Sequence, residues 1–149
     1  MLAAIVELSR RFGALAVAPL YRSAPVGPIA KQPDFLNTVV LAASDAAPEE
    51  LLSIAKLLEA AAGRTAGPRW GPRRLDIDIL SVGELRRDDE ALTLPHPRLR
   101  ERGFVLAPLA AIAPGLRLPP DGRTAAELLA ELATELPGAM PTRRPWTGG

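Results

Sequence analysis

Residues 69–82 read RWGPRRLDIDILSV, and the stretch changes character halfway. Its first six residues hold three arginines, a tryptophan and a Gly-Pro pair, which is loop composition. From Leu75 onward apolar and acidic residues alternate, and that period of two predicts a strand over 75–82. On a strand Asp76 and Asp78 share one face, about 6.6 Å apart at ~3.3 Å per residue, while Leu75, Ile77 and Ile79 share the other. Two meanings stay open at this point. The aspartates are the solvated face of an ordinary strand, or they are paired oxygen ligands for Mg²⁺, with Arg69, Arg73 and Arg74 placed to grip phosphate.

Working outward, the segments alternate between helical and strand periodicity. PEELLSIAKLLEAAAG (48–63) predicts the clearest helix, with Pro48 and two glutamates in its first turn and Gly63 as its C-cap. FLNTVVLAA (35–43) predicts a strand from its β-branched residues. ALAVAPLYRS (14–23) predicts another, with Pro19 marking an edge or a bulge. Residues 2–12 carry apolar positions at helical spacing, Gly13 stands where that helix stops, and no capping residue precedes it. After a polar turn at 83–91, LTLPHPRLRERGFVLAPLAAIAP (92–114) reads as a short strand and then a helix bent at Pro108. TAAELLAELAT (124–134) predicts a last helix capped by Thr124, and the tail from about 138 reads as loose. The order is α+β, a single domain over 1–149 with an antiparallel hairpin and flanking helices. A ferredoxin-like core needs one further strand ahead of residue 1.

The composition excludes several classes of protein. The 149 residues carry a net charge of +1, which gives no global pull towards nucleic acid or membrane, so any anion is held locally. There is no cysteine, hence no disulfide frame and no thiolate metal site. The start has no basic n-region and no apolar run approaches a membrane span, so the expected location is the cytoplasm. Neither G-x-x-x-x-G-K-[ST] nor G-x-G-x-x-G occurs, and a nucleotide would be bound without those loops. The S-x-x-K match at Ser53–Lys56 lies mid-helix without its companion motifs and reads as chance. His96 is the only histidine, set between prolines in LPHPRLRER beside three arginines. A structural role and a ligand contact are both open for it.

Four blocks together resemble the 6-hydroxymethyl-7,8-dihydropterin pyrophosphokinase family. They are YRSAPVGPIAKQPDFLNTVV (21–40), PEELL…LLEAAAGR (48–64), RWGPRRLDIDIL (69–80) and LTLPHPRLRERGFVLAPLAAIAP (92–114). The resemblance implies an α+β, ferredoxin-like fold with an antiparallel sheet, and transfer of pyrophosphate from ATP to a pterin alcohol in folate synthesis. It implies that Asp76 and Asp78 ligate Mg²⁺, two ions being expected, and that Arg73 and the loop residue Arg64 act with them on the phosphates. Glu59, Thr93, His96 and Arg102 would hold ATP. Phe35 and Phe104 would sandwich the pterin, Asn37 would read its polar edge, and Trp70 would close over it. Ser23, Ala24 and Val26 would line that pocket. A flat heteroaromatic suits two rings and one hydrogen-bonding side chain, although a phenylalanine by itself is more often a core residue. The partners expected are these two small molecules, with no nucleic acid, no membrane and a monomeric protein. The resemblance also implies a strand and a glycine-serine-asparagine loop before the first helix, where this sequence begins. A non-catalytic pterin- or nucleotide-binding remnant is the alternative reading.

Overall fold

The computed structural model describes residues 1–23, 35–64 and 75–144. The expected roles of Ala24, Val26, Trp70 and Arg73, and of the Arg64 side chain, lie outside what is described. The chain runs α1 (Leu2–Phe12), β1 (Ala14–Val17), β2 (Leu20–Ser23), β3 (Phe35–Asn37), β4 (Val40–Ala42) and α2 (Pro48–Arg64). It continues with β5 (Arg87–Asp88), β6 (Thr93–Leu94), α3 (Gly103–Ile112), β7 (Arg117–Leu118), β8 (Arg123–Thr124), α4 (Ala125–Glu135) and β9 (Thr142–Arg144). The class is α+β with antiparallel pairing, as the alternation of segments implied.

Strands β1 to β4 form one long hairpin broken by bulges. β1 pairs β4 with Val17 opposite Val40, and β2 pairs β3 with Tyr21 opposite Asn37. Between the Ala18–Val39 backbone bond and the Tyr21–Asn37 pair, the first strand spends three residues against two on its partner. Pro19 lies in that interval and has no N–H to give a ladder. The Thr38 hydroxyl donates to the Ala18 carbonyl at 2.9 Å where the ladder is interrupted. The bulge that the proline announced is therefore present.

The helix ends follow their capping chemistry. Gly13 takes φ 65°, and its N–H closes α1 on the Ser9 carbonyl at 2.9 Å. Met1 offers α1 no side-chain cap. Thr124 caps α4 and Glu127 returns the bond, a complete capping box. Gly63 is not a cap, because α2 runs one residue further to Arg64.

Two further sequence expectations need correction. Residues 75–82 pair with no strand among the described residues. The burial alternation is there, with Leu75, Ile77 and Ile79 half-buried and Asp76 and Asp78 exposed. The backbone groups go elsewhere: the Ile77 N–H donates to the Glu59 carboxylate and the Leu80 carbonyl accepts from His96. The tail is also less loose than expected, since Thr142–Arg144 add to the edge of β2 as β9.

The core lies where α3 and α4 cross beneath the hairpin. Ala18 and Val39 form one cluster with Leu99, Val105, Leu106, Leu109, Leu118, Ala125, Leu128 and Leu132. Pro108 sits within α3 and is fully buried. No described helix is long and apolar enough to cross a membrane.

Candidate active site

Asp78 is the point on which the polar side chains converge. The His96 Nε2 lies 3.9 Å and the Arg102 Nη1 3.8 Å from the same oxygen, Asp78 Oδ2. Each is brought there by a separate piece of backbone. His96 donates its N–H to the Leu80 carbonyl at 2.8 Å, which ties the histidine segment to the aspartate segment two residues past Asp78. Arg102 is the N-cap of α3, and its carbonyl accepts from both Val105 and Leu106 at 3.0 Å. Behind them Arg100 grips the Asp121 carboxylate at 2.6 and 2.9 Å and the Pro119 carbonyl at 3.2 Å, fixing the 3₁₀ turn Leu99–Glu101 between His96 and Arg102.

The protonation of His96 follows from its neighbours. Its Nδ1 accepts the Arg98 N–H at 3.2 Å, which leaves the proton of the neutral ring on Nε2, facing Asp78. Burial pushes its pKa below the ordinary imidazole value; the Asp78 charge opposes that shift, and Arg102 and Arg98 add to it. His96 thus presents a neutral N–H donor at pH 7. Arg102 presents a fixed cation at a helix N-terminus, where the dipole is already positive and no acidic residue occupies the first turn. The combination draws an anion.

Glu59 reaches the backbone between the aspartates from α2. Ala55 and Glu59 stand one turn apart on α2, with Ala55 buried and Glu59 half-buried. Glu59 Oε2 accepts the Ile77 N–H at 2.8 Å, between the two aspartates. Thr93 lies on β6 opposite Asp88, in the strand that leads through Pro95 to His96.

The expected ring-binding residues lie on the hairpin and on α3. Tyr21, Ser23, Phe35 and Asn37 share one face of the β2–β3 pair, since Tyr21 faces Asn37 and Ser23 faces Phe35. Asn37 Nδ2 donates to Ser23 Oγ at 2.8 Å, so Ser23 orients that amide with its side chain. The hairpin register contained this contact, but the sequence reading had given Ser23 only a pocket-lining part. Phe35 is 47% exposed and is no core residue. Phe104 is half-buried against the core and has its ring centroid 5.4 Å from the Arg102 guanidinium carbon. α3 packs against β2 and β3, which carries Phe104 to the hairpin that bears Phe35 and Asn37. Sequence reasoning missed the Arg98 N–H on His96 and the Leu80–His96 bond, neither of which has a motif.

Among the described residues no three acids or imidazoles group as a self-sufficient metal cage. Asp76 and Asp78 supply hard oxygen, and the Arg102 guanidinium adjoins Asp78. That donor set fits Mg²⁺, which takes one or two carboxylates and completes its shell with phosphate oxygens and water.

Comparison with known proteins adds the family. A family model described as 7,8-dihydro-6-hydroxymethylpterin-pyrophosphokinase (HPPK) matches residues 1–114. A 2-amino-4-hydroxy-6-hydroxymethyldihydropteridine pyrophosphokinase of Pseudomonas aeruginosa is 49% identical over 129 residues, covering 84% of this chain and 78% of that protein. The protein of the same name from Methylorubrum extorquens is 46% identical over 112 residues, covering 75% of this chain and 69% of that protein. A mitochondrial folate synthesis bifunctional protein of Arabidopsis thaliana is 50% identical over 90 residues, covering 60% of this chain and 16% of that much longer protein.

Proposed function

The chain belongs to the 7,8-dihydro-6-hydroxymethylpterin-pyrophosphokinase family, and on that premise we propose that it transfers the terminal diphosphate of ATP to the hydroxymethyl group of 6-hydroxymethyl-7,8-dihydropterin. The pterin hydroxymethyl oxygen bonds to the β-phosphorus, the bond from that phosphorus to the α,β-bridging oxygen breaks, AMP leaves with the electron pair, and the hydroxyl proton is released. The observation that carries this reading is the convergence of His96 and Arg102 on Asp78, with Phe104 against the same arginine. A charged end for phosphates thereby adjoins a ring-bearing end for a flat heterocycle.

The roles follow from the chemistry of each group. Arg102 and the Nε2–H of His96 hold triphosphate oxygens and stabilise charge that develops as the bridging bond breaks. Asp76 and Asp78 would hold Mg²⁺, which would supply charge neutralisation for phosphate oxygens. Phe35 and Phe104 bracket the pterin, and Asn37, oriented by Ser23, satisfies its polar edge. Holding the two reactants in line supplies most of what such a transfer needs, and no strong base is required of the protein. Arg73, Arg64 and Trp70 complete the phosphate and pterin contacts in this reading.

The test is turnover by the chain with ATP, Mg²⁺ and the hydroxymethyl pterin. AMP is expected only when both substrates are present. ATP that stays intact beside folded protein contradicts the proposal.

A further inference from the structure

The Glu59–Ile77 bond carries a consequence for the aspartates on either side of it. Residues 75–82 have no ladder partner among the described residues. The Ile77 N–H, between the two aspartates, goes to the Glu59 carboxylate at 2.8 Å. That carboxylate stands on α2, whose first turn is itself anchored: Arg87 of β5 pairs with Glu49 and with Asp89, the latter at 2.8 Å. β5 pairs with β6, and β6 runs through Pro95 into His96, whose N–H returns to Leu80. The segment bearing Asp76 and Asp78 is thus pinned at Ile77 from α2 and at Leu80 from the histidine side.

We propose that Glu59 is a positioning residue: through its hydrogen bond to the Ile77 N–H it fixes the backbone between Asp76 and Asp78 and so sets the direction of both carboxylates. A carboxylate accepting a backbone N–H is a strong, geometrically defined contact. Here it replaces the ladder bond that a paired strand would supply. Direction matters because oxygen ligands hold a cation only while their carboxylates are turned towards it. The contact therefore acts on the metal end of the site through the backbone. It rests on the functional reading above only in what the aspartates are for.

Two substitutions separate this from a role in which the Glu59 charge itself touches the nucleotide. Glu59→Gln keeps the length and an accepting oxygen but loses the charge. Glu59→Asp keeps the charge but withdraws it by one methylene, beyond reach of Ile77. Amide exchange is measured in the unliganded protein, so the result does not depend on turnover. The Ile77 amide is expected to stay protected in Glu59→Gln and to exchange about tenfold faster or more in Glu59→Asp. The amides of Leu106 and Leu132 in the core serve as the check that each variant is folded. In turnover, the Mg²⁺ concentration for half-maximal rate is expected to rise severalfold in Glu59→Asp and less in Glu59→Gln. Unchanged Ile77 exchange in Glu59→Asp overturns the proposal, as does a larger Mg²⁺ defect in Glu59→Gln than in Glu59→Asp. Failure of the pterin reaction in every form, with Ile77 exchange as expected, would contradict the functional reading and leave the positioning bond standing.

Discussion

Asp78 is the residue on which the site turns, and its exposure makes it a clean probe. Its side chain is 51% exposed and lies near His96 and Arg102 without a close bond to either. Asp78→Asn is expected to cost turnover about a hundredfold or more while changing stability by no more than ~0.5 kcal/mol, as surface substitutions do. Parallel kinetics and urea unfolding check both halves. The two phenylalanines should separate in the same way. Phe35→Ala is expected to raise the KM for pterin with stability almost unchanged, because the ring is half in solvent. Phe104→Ala is expected to raise that KM and also cost about 1–3 kcal/mol, since its ring packs on the core. Away from the chemistry, the Arg100 guanidinium holds the Asp121 carboxyl well below the ordinary carboxylate range. A depressed native pKa means the unfolded chain takes up its proton first on acidification. The contribution is therefore present above about pH 4, the ordinary aspartate value, and lost progressively below it. Asp121→Asn is expected to lower stability at pH 7 and to flatten the acid limb, read by urea unfolding between pH 3 and 7. At this scale the sequence was informative where residues lie close along the chain. Asp76 with Asp78, and His96 with Arg102, are of that kind. It was silent on the bond between Glu59 and Ile77, because no spacing rule links a helix carboxylate to one backbone N–H eighteen positions away.

The elements show why alternation and pairing are different kinds of information. Residues 75–82 alternate as a strand does, and the structure honours the alternation in burial while giving the segment no ladder among the described residues. Apolar periodicity states which side chains turn inward; a ladder depends on what lies alongside, which one segment cannot state. β9 is the converse case. Thr142, Arg143 and Arg144 are exposed and polar, carry no alternation, and still pair with β2. Short ladders such as β7–β8 are equally mute in sequence, since two residues hold no period. Helix ends were legible because capping is local. Gly13, Pro48 and Thr124 each mark an end within a residue, and only Gly63 misled, being accommodated inside α2. Thr124→Ala removes the hydroxyl that accepts the Glu127 N–H and is expected to cost about 1 kcal/mol. Thermal unfolding measures that loss, and the kinetic constants should not move, because α4 carries none of the proposed site residues.

At the scale of the whole molecule, the core and the site are joined through one helix. α3 places Val105, Leu106, Pro108 and Leu109 in the core, while Arg102 at its cap and Phe104 in its first turn are proposed site residues. The packing of α3 on α4 and on the hairpin therefore fixes where Arg102 and Phe104 stand relative to β2 and β3. In the proposed reading the two substrates are a polyphosphate and a flat heterocycle, joined by transfer of a diphosphate unit. The identity of the transferred unit is the most direct test. Phosphorus NMR of the folded chain with ATP, Mg²⁺ and 6-hydroxymethyl-7,8-dihydropterin should show AMP and a pterin diphosphate appearing in equal amounts. ADP with a pterin monophosphate, or ATP unchanged, would contradict diphosphate transfer by this site.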